Sequence, residues 1–185
     1  MRLLFILICL LGSQLFSSAQ SVTGFTNHTR IYIVRHAEKV TGKDAGRDPF
    51  LTTVGYMRAG DLMRELKKAG ITRIYVSQYR RTQLTADSLR IQLGIDTVQY
   101  LADTVCDDLV NRIRMKGDMG GIILIIAHSN TIPFIIKKLG VTDITPIDIS
   151  DNEYNNLFLV KKKRNKMVLI RKRYGQAPIG TAAPM

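Results

Sequence analysis

The chain has 185 residues, of which 45% are apolar and 23% are charged, and its formal net charge is +12. That length fits one domain of ordinary size, and this balance excludes a wholly disordered or collagen-like chain. A membrane protein with several spans is also excluded, because the one strongly apolar run lies at the N-terminus.

Residues 1–19 have the three-part pattern of a secretory signal peptide. Arg2 supplies a positive start, residues 3–11 are all apolar, and the small residues up to Ala19 suit a signal peptidase. The apolar run is far shorter than the roughly 20 residues that span a bilayer. We therefore predict cleavage after Ala19 and export to the periplasm or the medium, with no stable membrane span after cleavage. An uncleaved membrane anchor is the alternative.

Strand-like and helix-like segments alternate through the rest of the chain, as judged from β-branched runs and from apolar periodicity. In chain order we predict a strand over 30–34, a helix from Thr52 or Thr53 to Ala69, a strand over 74–76, a helix over 81–93, a weak strand over 97–101, a helix over 108–115, a strand over 122–127 buried on both faces, a helix from Ser129 or Asn130 to Leu139, and a hairpin of 156–161 and 167–172.

This alternation predicts an α/β fold. We expect a three-layer sandwich in which helices flank a mostly parallel sheet, with the C-terminal hairpin at one edge. Residues 20–174 form the folded domain in this interpretation. Residues 175–185 are rich in Gly, Ala and Pro and are predicted to be a flexible tail.

Two histidines and several arginines follow the ends of predicted parallel strands. Arg35 and His36 follow the first strand, Arg81 lies just beyond the second, and His128 follows the most apolar one. Because the carboxyl ends of parallel strands meet at one edge of the sheet, we expect these side chains to converge. Guanidinium groups suit bidentate contact with phosphate oxygens, and a histidine can serve as a nucleophile. The sequence therefore predicts a site for a phosphoryl group.

The same segments resemble the motifs of the histidine phosphatase superfamily, which includes phosphoglycerate mutase-like enzymes. Residues 35–38 resemble its Arg-His-Gly signature, with Ala37 in place of the usual Gly, and Leu51, Thr52 and Gly55 resemble its entry to the first helix. Ser77, Arg81, Thr85 and Ala86 resemble its second arginine motif, with Leu84 where a Gln is usual, and residues 127–131 resemble its second histidine motif. Order and spacing agree from about 30 to 174.

The resemblance implies a metal-independent phosphatase that hydrolyses a phosphomonoester through a phosphohistidine at His36. Arg35 and Arg81 would bind the phosphate, and His128 would bind it and stabilise the transferring group. The partner would be a small phosphorylated substrate. No cofactor and no metal are expected, because arginines supply the positive charge. The glutamate-bearing segment of true mutases is not evident, which favours hydrolysis. A phosphomutase and a non-catalytic phosphate- or polyanion-binding module are the alternatives.

The proton donor for the leaving group stays open at this point. Family members carry a Glu or Asp after the third strand, and the resemblance makes Asp103, Asp107 and Asp108 the candidates. Asp103 lies nearest the strand end and is preferred as a catalytic residue. Glu38 closely follows the nucleophile, and it is the remaining candidate or a residue that orients His36 or contacts substrate.

Eight Lys and Arg residues between positions 161 and 173 account for much of the positive charge. Nucleic acid or an anionic membrane is one possible partner for such a run. The chain carries no nucleic-acid-binding signature, and lysines commonly protect exposed sheet edges. We therefore favour edge protection and steering of anionic substrates over nucleic-acid binding. The sequence predicts no oligomeric state.

Two further motifs have less specific interpretations. Ser77 is interpreted as a cap or turn residue rather than a catalyst, since nothing near it resembles a serine triad. Tyr154, Asn155 and Asn156 resemble a segment that precedes the hairpin in small exported relatives, and the sequence assigns them no role.

Overall fold

The computed structural model describes residues 24–142 and 145–177. The predicted signal peptide lies outside these described residues, as does the tail beyond residue 177. Ten elements follow one another as β1 (Arg30–Arg35), α1 (Thr53–Leu66), β2 (Arg73–Ser77), α2 (Arg80–Leu93), β3 (Thr97–Tyr100), α3 (Asp107–Met115), β4 (Ile122–Ala127), α4 (Ile132–Lys138), β5 (Asn156–Lys163) and β6 (Lys166–Arg173). Over the same ranges, no helix has the length and apolar character needed to cross a bilayer.

The six strands form one mixed sheet in the order β3-β2-β4-β1-β5-β6. The first four strands of the chain pair in parallel, whereas β5 runs antiparallel to β1 and β6 antiparallel to β5. Parallel pairing needs a crossover, and the helices between these strands supply it. The predicted α/β sandwich with a hairpin at one edge of the sheet is therefore confirmed.

Alternating side chains of the central strands pack into two separate apolar layers. In β4, Ile123 and Ile125 join the cluster that includes α3 and α4, whereas Leu124 and Ile126 join the cluster that includes α1 and α2. All four are fully buried, and each such side chain contributes about 1.5–3 kcal/mol to folding. The prediction that this strand is buried on both faces is correct. Because β4 is packed on both sides, it fixes the position of His128, which follows it.

The start of α4 differs from the predicted one. The helix begins at Ile132, later than the predicted capping residues Ser129 and Asn130. The reason is a tight turn in which the carbonyl of His128 accepts hydrogen bonds from the amides of Thr131 and Ile132, both at 3.0 Å. The Thr131 hydroxyl also accepts from the amide of His128 at 3.2 Å. The turn residues thus hold His128 rather than cap the helix.

The start of α1 is docked against the segment that follows β1. Thr52 caps this helix as predicted, because its side chain accepts a hydrogen bond from the amide of Gly55 at 3.1 Å. The amide of Thr52 donates to the carbonyl of Glu38 at 2.9 Å. A Cβ atom at Gly55 would lie 2.1 Å from that same carbonyl oxygen, so only glycine permits this approach.

Candidate active site

Strand register brings the two predicted histidines together. Arg35, the last residue of β1, pairs with Ala127, the last residue of β4. The amide of His36 then donates to the carbonyl of Ala127 at 2.9 Å. His36 and His128 therefore leave the sheet side by side, with ring centroids 5.3 Å apart and rings at 60° to each other. The convergence expected from the sequence is present for these two residues.

The hydrogen bond at Nδ1 fixes the tautomer of His36. This nitrogen lies 2.8 Å from the carbonyl oxygen of Ala37, which can only accept, so Nδ1 carries the proton and Nε2 keeps its lone pair. Burial, together with the nearby His128, Arg81 and Arg35, lowers the pKa of His36 from 6.5 to about 3, and the Ala37 contact opposes that change. His36 is thus a neutral imidazole at neutral pH, with Nε2 available as a nucleophile.

The other imidazole is held from both sides. Arg81 donates from Nη2 to Nδ1 of His128 across 3.4 Å, so Nε2 of the neutral ring carries the proton. That Nε2 lies 2.9 Å from the hydroxyl of Ser77, which lies 3.0 Å from the hydroxyl of Thr82. Burial, followed by the charges of Arg81 and Arg35, lowers the pKa of His128 to about 4.

Arg81 lies in the first turn of α2 with most of its side chain buried. Its guanidinium stacks 4.2 Å over the ring of Tyr79, and its Nη1 lies 3.8 Å from the carboxylate of Asp48. The Nε atom is buried and makes no hydrogen bond within the described part of the chain. A buried N–H of a charged group needs an acceptor, so this nitrogen is a donor available to a bound anion.

Arg35 is only 5% exposed and is fixed by a remote segment. Its Nη1 donates to the carbonyls of Ser150 at 2.9 Å and Asp151 at 3.0 Å. Its guanidinium carbon lies 4.1 Å from the centre of the Tyr154 ring. As with the second arginine, Nε is buried with no acceptor among residues 24–142 and 145–177. The two guanidinium groups thus offer matching free N–H donors.

Aromatic rings complete the wall around the histidines. Tyr154 lies 6.0 Å from the His36 ring between centroids, and Tyr79 lies 5.3 Å from the His128 ring at right angles to it. Each tyrosine therefore touches one histidine and one arginine. The result is a cationic site in which two arginine–tyrosine stacks flank two neutral imidazoles.

The four candidate proton donors have different surroundings. Asp107 pairs with Lys138 at 2.6 Å, Asp108 pairs with Arg112 at 2.9 Å, and Glu38 pairs with Arg58 at 2.7 Å. Asp103 is exposed on the loop after β3, and its Oδ1 accepts from the amide of Cys106 at 2.6 Å. Within the described ranges, Asp103 makes no hydrogen bond to either histidine, so its catalytic role stays a prediction.

Glu38 contributes to the site indirectly. Both of its carboxylate oxygens accept from Nε of Arg58 at 2.8 Å, and Arg58 is 4% exposed. This buried pair, together with the Thr52 contact to the Glu38 carbonyl, fastens the segment after His36 to α1. Of the roles considered for Glu38, these contacts fit orientation of His36 through the backbone, and that role stays a prediction.

Several residues that build the site were not identified from the sequence. Ser77 is the hydrogen-bond partner of His128, although the sequence suggested only a cap or turn. Thr85 accepts from the amide of Ala37 at 2.9 Å and so connects α2 to the residue beside His36. Asp48 accepts the amide of Arg80 with both oxygens, at 3.0 and 3.1 Å, and lies beside Arg81. Sequence signals existed for the first two, since both belong to the second arginine motif; Asp48 had none.

Among the residues that the structure describes, no group of three or more His, Cys, Asp and Glu side chains is arranged to hold a metal ion. At the site, an anion can be bound by the two guanidiniums, whose Nε–H groups have no acceptor in the described part of the chain.

Comparison with known proteins gives a family match and a set of structural neighbours. Residues 31–104 match the family described as histidine phosphatase superfamily (branch 1). No curated protein sequence matches the chain significantly. The structure is similar to that of the protein histidine phosphatase SixA complexed with tungstate, with a TM-score of 0.61, 15% identity, and coverage of 78% of this chain and 97% of that chain.

Two mycobacterial structures are similar as well. Both are of glucosyl-3-phosphoglycerate phosphatase, one with inorganic phosphate (TM-score 0.56, 14% identity, 80% of this chain and 97% of that chain) and one with VO3 (TM-score 0.55, 13% identity, 80% and 99%). At these identities the likeness shows the fold, which agrees with the predicted α/β sandwich.

Proposed function

We propose that this protein is a metal-independent phosphatase that forms a phosphohistidine at His36, because residues 31–104 match the family described as histidine phosphatase superfamily (branch 1). The proposed substrate is a small phosphomonoester. Structural neighbours complexed with tungstate, inorganic phosphate and VO3 support a small phosphorylated substrate.

One observation carries the proposal. Nδ1 of His36 is hydrogen-bonded to the Ala37 carbonyl, so the lone pair of Nε2 is free in a site that contains two arginines with unpaired Nε–H groups. A neutral imidazole is the nucleophilic form, and guanidinium N–H groups stabilise negative charge on phosphoryl oxygens. A buried site of this kind gains by binding a dianion, which supplies the missing acceptors.

The reaction has two steps in this proposal. Nε2 of His36 attacks phosphorus, the bond from phosphorus to the ester oxygen breaks, and that oxygen takes a proton from a general acid. Water then attacks phosphorus and gives a proton to the deprotonated general acid, the P–N bond breaks with its electron pair returning to Nε2, and inorganic phosphate leaves. Arg35 and Arg81 bind the phosphoryl oxygens in both steps. We assign His128 a stabilising role at the transferring phosphoryl group; burial, followed by the charges of Arg81 and Arg35, lowers its pKa and keeps the ring neutral before substrate binds.

For the general acid we propose Asp103. The other candidates are engaged in ion pairs with Lys138, Arg112 and Arg58, whereas one oxygen of Asp103 is free of protein hydrogen bonds within the described residues. Asp103→Asn should slow hydrolysis of an alkyl phosphate at least tenfold more than that of an aryl phosphate, because a good leaving group needs less protonation. Equal effects on both esters would contradict this assignment, and Asp107→Asn is the matched control.

The central test is phosphorylation of His36. Wild-type enzyme mixed rapidly with an aryl phosphate should release a burst of phenol and carry acid-labile phosphate, and His36→Ala should show neither. Substantial turnover by His36→Ala would refute the nucleophile assignment. A burst without further turnover would favour the non-catalytic module, and transfer of phosphate to a second hydroxyl of the substrate would favour a mutase.

Export is part of the proposal and rests on the sequence of residues 1–19. Mature protein from the periplasm or medium of an expressing bacterium should begin at Gln20 on N-terminal sequencing. Intact Met1 in the membrane fraction would favour the uncleaved anchor instead.

A further inference from the structure

The segment Ser150–Tyr154 lies far from the motif residues in the sequence and yet encloses one of the phosphate-binding arginines. We propose that this segment is a clasp that orients Arg35 for phosphate, and that Tyr154 is the positioning residue within it. This inference rests on the proposed function, because it assigns Arg35 to the same phosphoryl group. No role for Tyr154 is predicted from the sequence.

The positive charge of Arg35 is buried and only partly paired. The guanidinium of Arg35 is almost wholly inside the protein, and burying a charge is costly unless partners replace water. In the described ranges, one carboxylate lies within ion-pair reach, that of Asp151 at 3.9 Å, and its side chain is fully exposed. Backbone carbonyls and a ring face must therefore hold the charge, and the clasp supplies both.

The clasp occupies one nitrogen of the Arg35 guanidinium. Three carbonyls, those of Ser150, Asp151 and Glu153, accept from the single nitrogen Nη1 at 2.9, 3.0 and 3.3 Å. Nε is left without an acceptor in the described structure. The Nε and Nη2 hydrogens share one edge of the planar guanidinium, and this edge matches two phosphate oxygens. Nη2 has the Asp151 carboxylate 3.9 Å away, which is beyond hydrogen-bond distance. The clasp thus uses one end of Arg35 and leaves the N–H donors of the bidentate edge for a ligand.

The ring of Tyr154 lies against the guanidinium of Arg35. Its centre lies 4.1 Å from the guanidinium carbon, which places the cation over the negative face of the ring. The same ring lies 6.0 Å from that of His36. Tyr154 therefore restrains the guanidinium of Arg35 through its ring face, while the carbonyls restrain Nη1. Together these contacts hold the free edge beside the nucleophile.

The clasp is itself anchored to the end of the hairpin. Arg173 of β6 donates to the Asn155 side chain at 2.8 Å and to the Glu153 carboxylate at 3.0 Å. The amide of Tyr174 donates to the carbonyl of Asn155 at 3.0 Å. These contacts on both sides of Tyr154 fix its backbone, so the hairpin supports the arginine at the end of β1.

Three variants test the proposal by calorimetric binding of inorganic phosphate and by kinetics with an aryl phosphate. Tyr154→Leu keeps apolar bulk but removes the ring, and should raise the Kd for phosphate and lower kcat/KM about tenfold. Tyr154→Phe keeps the ring and should stay within about twofold of wild type. Tyr56→Leu, on the exposed side of α1, is the matched control for both measurements.

If Tyr154 had a purely structural role, Tyr154→Leu would lower Tm and leave the Kd and KM of the folded protein unchanged. Wild-type affinity in Tyr154→Leu, or an equal loss in Tyr154→Phe, would therefore overturn the proposal. In a double-mutant cycle the Leu change should have little further effect once Arg35 is replaced by Lys, and full additivity would also overturn it. Wild-type protein that binds phosphate without turnover would refute the proposed function alone, and wild-type protein that fails to bind millimolar phosphate would refute both.

Discussion

The hydroxyl of Ser77 and Nε2 of His128 lie 2.9 Å apart, although 51 positions separate the two residues in the chain. Ser77 ends β2 and His128 follows β4, and these two strands are neighbours in the sheet. Arg81, which can only donate, fixes the tautomer of His128 through Nδ1, so the Ser77 hydroxyl accepts a hydrogen bond from the Nε2–H group. Ser77 thereby fixes the orientation of the second histidine.

Ser77→Ala should consequently reduce kcat/KM about tenfold, since one hydrogen bond to a buried ring contributes about 0.5–1.5 kcal/mol. Steady-state kinetics with an aryl phosphate would measure this loss. Ser88→Ala, on the outer part of α2, is the matched control and should leave the rate unchanged. An unaltered rate in Ser77→Ala would mean that Arg81 and the turn at Thr131 suffice to hold His128.

Arg81→Lys should lower kcat by about a hundredfold, because a compact ammonium cannot reach both His128 and a phosphoryl oxygen as the planar guanidinium can. Arg80→Lys is the adjacent control, since Arg80 is exposed and its side chain stacks on Phe50 rather than on the histidines. A near-normal rate for Arg81→Lys would remove Arg81 from the site.

The two histidines should make the protein less stable in acid. Their pKa values, about 3 and about 4, lie below the ordinary 6.5, so the unfolded chain binds protons that the folded chain excludes. The free energy of unfolding should therefore be largest above pH 6.5 and fall as the pH decreases from 6.5 toward 4. Denaturant titrations of wild type and His36→Asn across this range would check the sign, and the variant should lose part of the slope.

Gly55→Ala should destabilise the protein by about 3 kcal/mol or more, because the new methyl group would meet the Glu38 carbonyl at 2.1 Å and backbone must shift to relieve it. Gly60→Ala in the same helix is a matched control. Its methyl group would meet the flexible end of Arg64 at 3.3 Å, and alanine favours the helix by about 1 kcal/mol. Thermal unfolding of both variants would measure the difference. Equal stability of Gly55→Ala and Gly60→Ala would contradict the prediction.

Sequence patterns predicted the strands and the convergence of His36 with His128, because both depend on local periodicity and on the rule for parallel strand ends. They did not predict the partners of those residues. The hydrogen bond between Ser77 and His128 and the stacking of Tyr154 on Arg35 join distant segments. A local sequence pattern does not indicate which side chains of distant segments come into contact.

The start of α4 shows a second reason for such differences. Ser129 and Asn130 are good capping residues by type, yet the turn that holds the His128 backbone postpones the helix to Ile132. Local propensity was outweighed there by the geometry of the site. Asp48 was missed for a related reason, since its position beside Arg81 depends on how the loop over 39–50 folds back onto α2.

Because Arg35 pairs with Ala127, the phosphate site forms only when β1 has joined β4 during folding. The two imidazoles become neighbours only after a loop that contains α1, β2, α2, β3 and α3 has closed, and closing long loops is slow compared with forming helices. During refolding from denaturant, the ability to bind phosphate should return later than helical circular dichroism, so a simple anion probe can time the joining of β1 to β4.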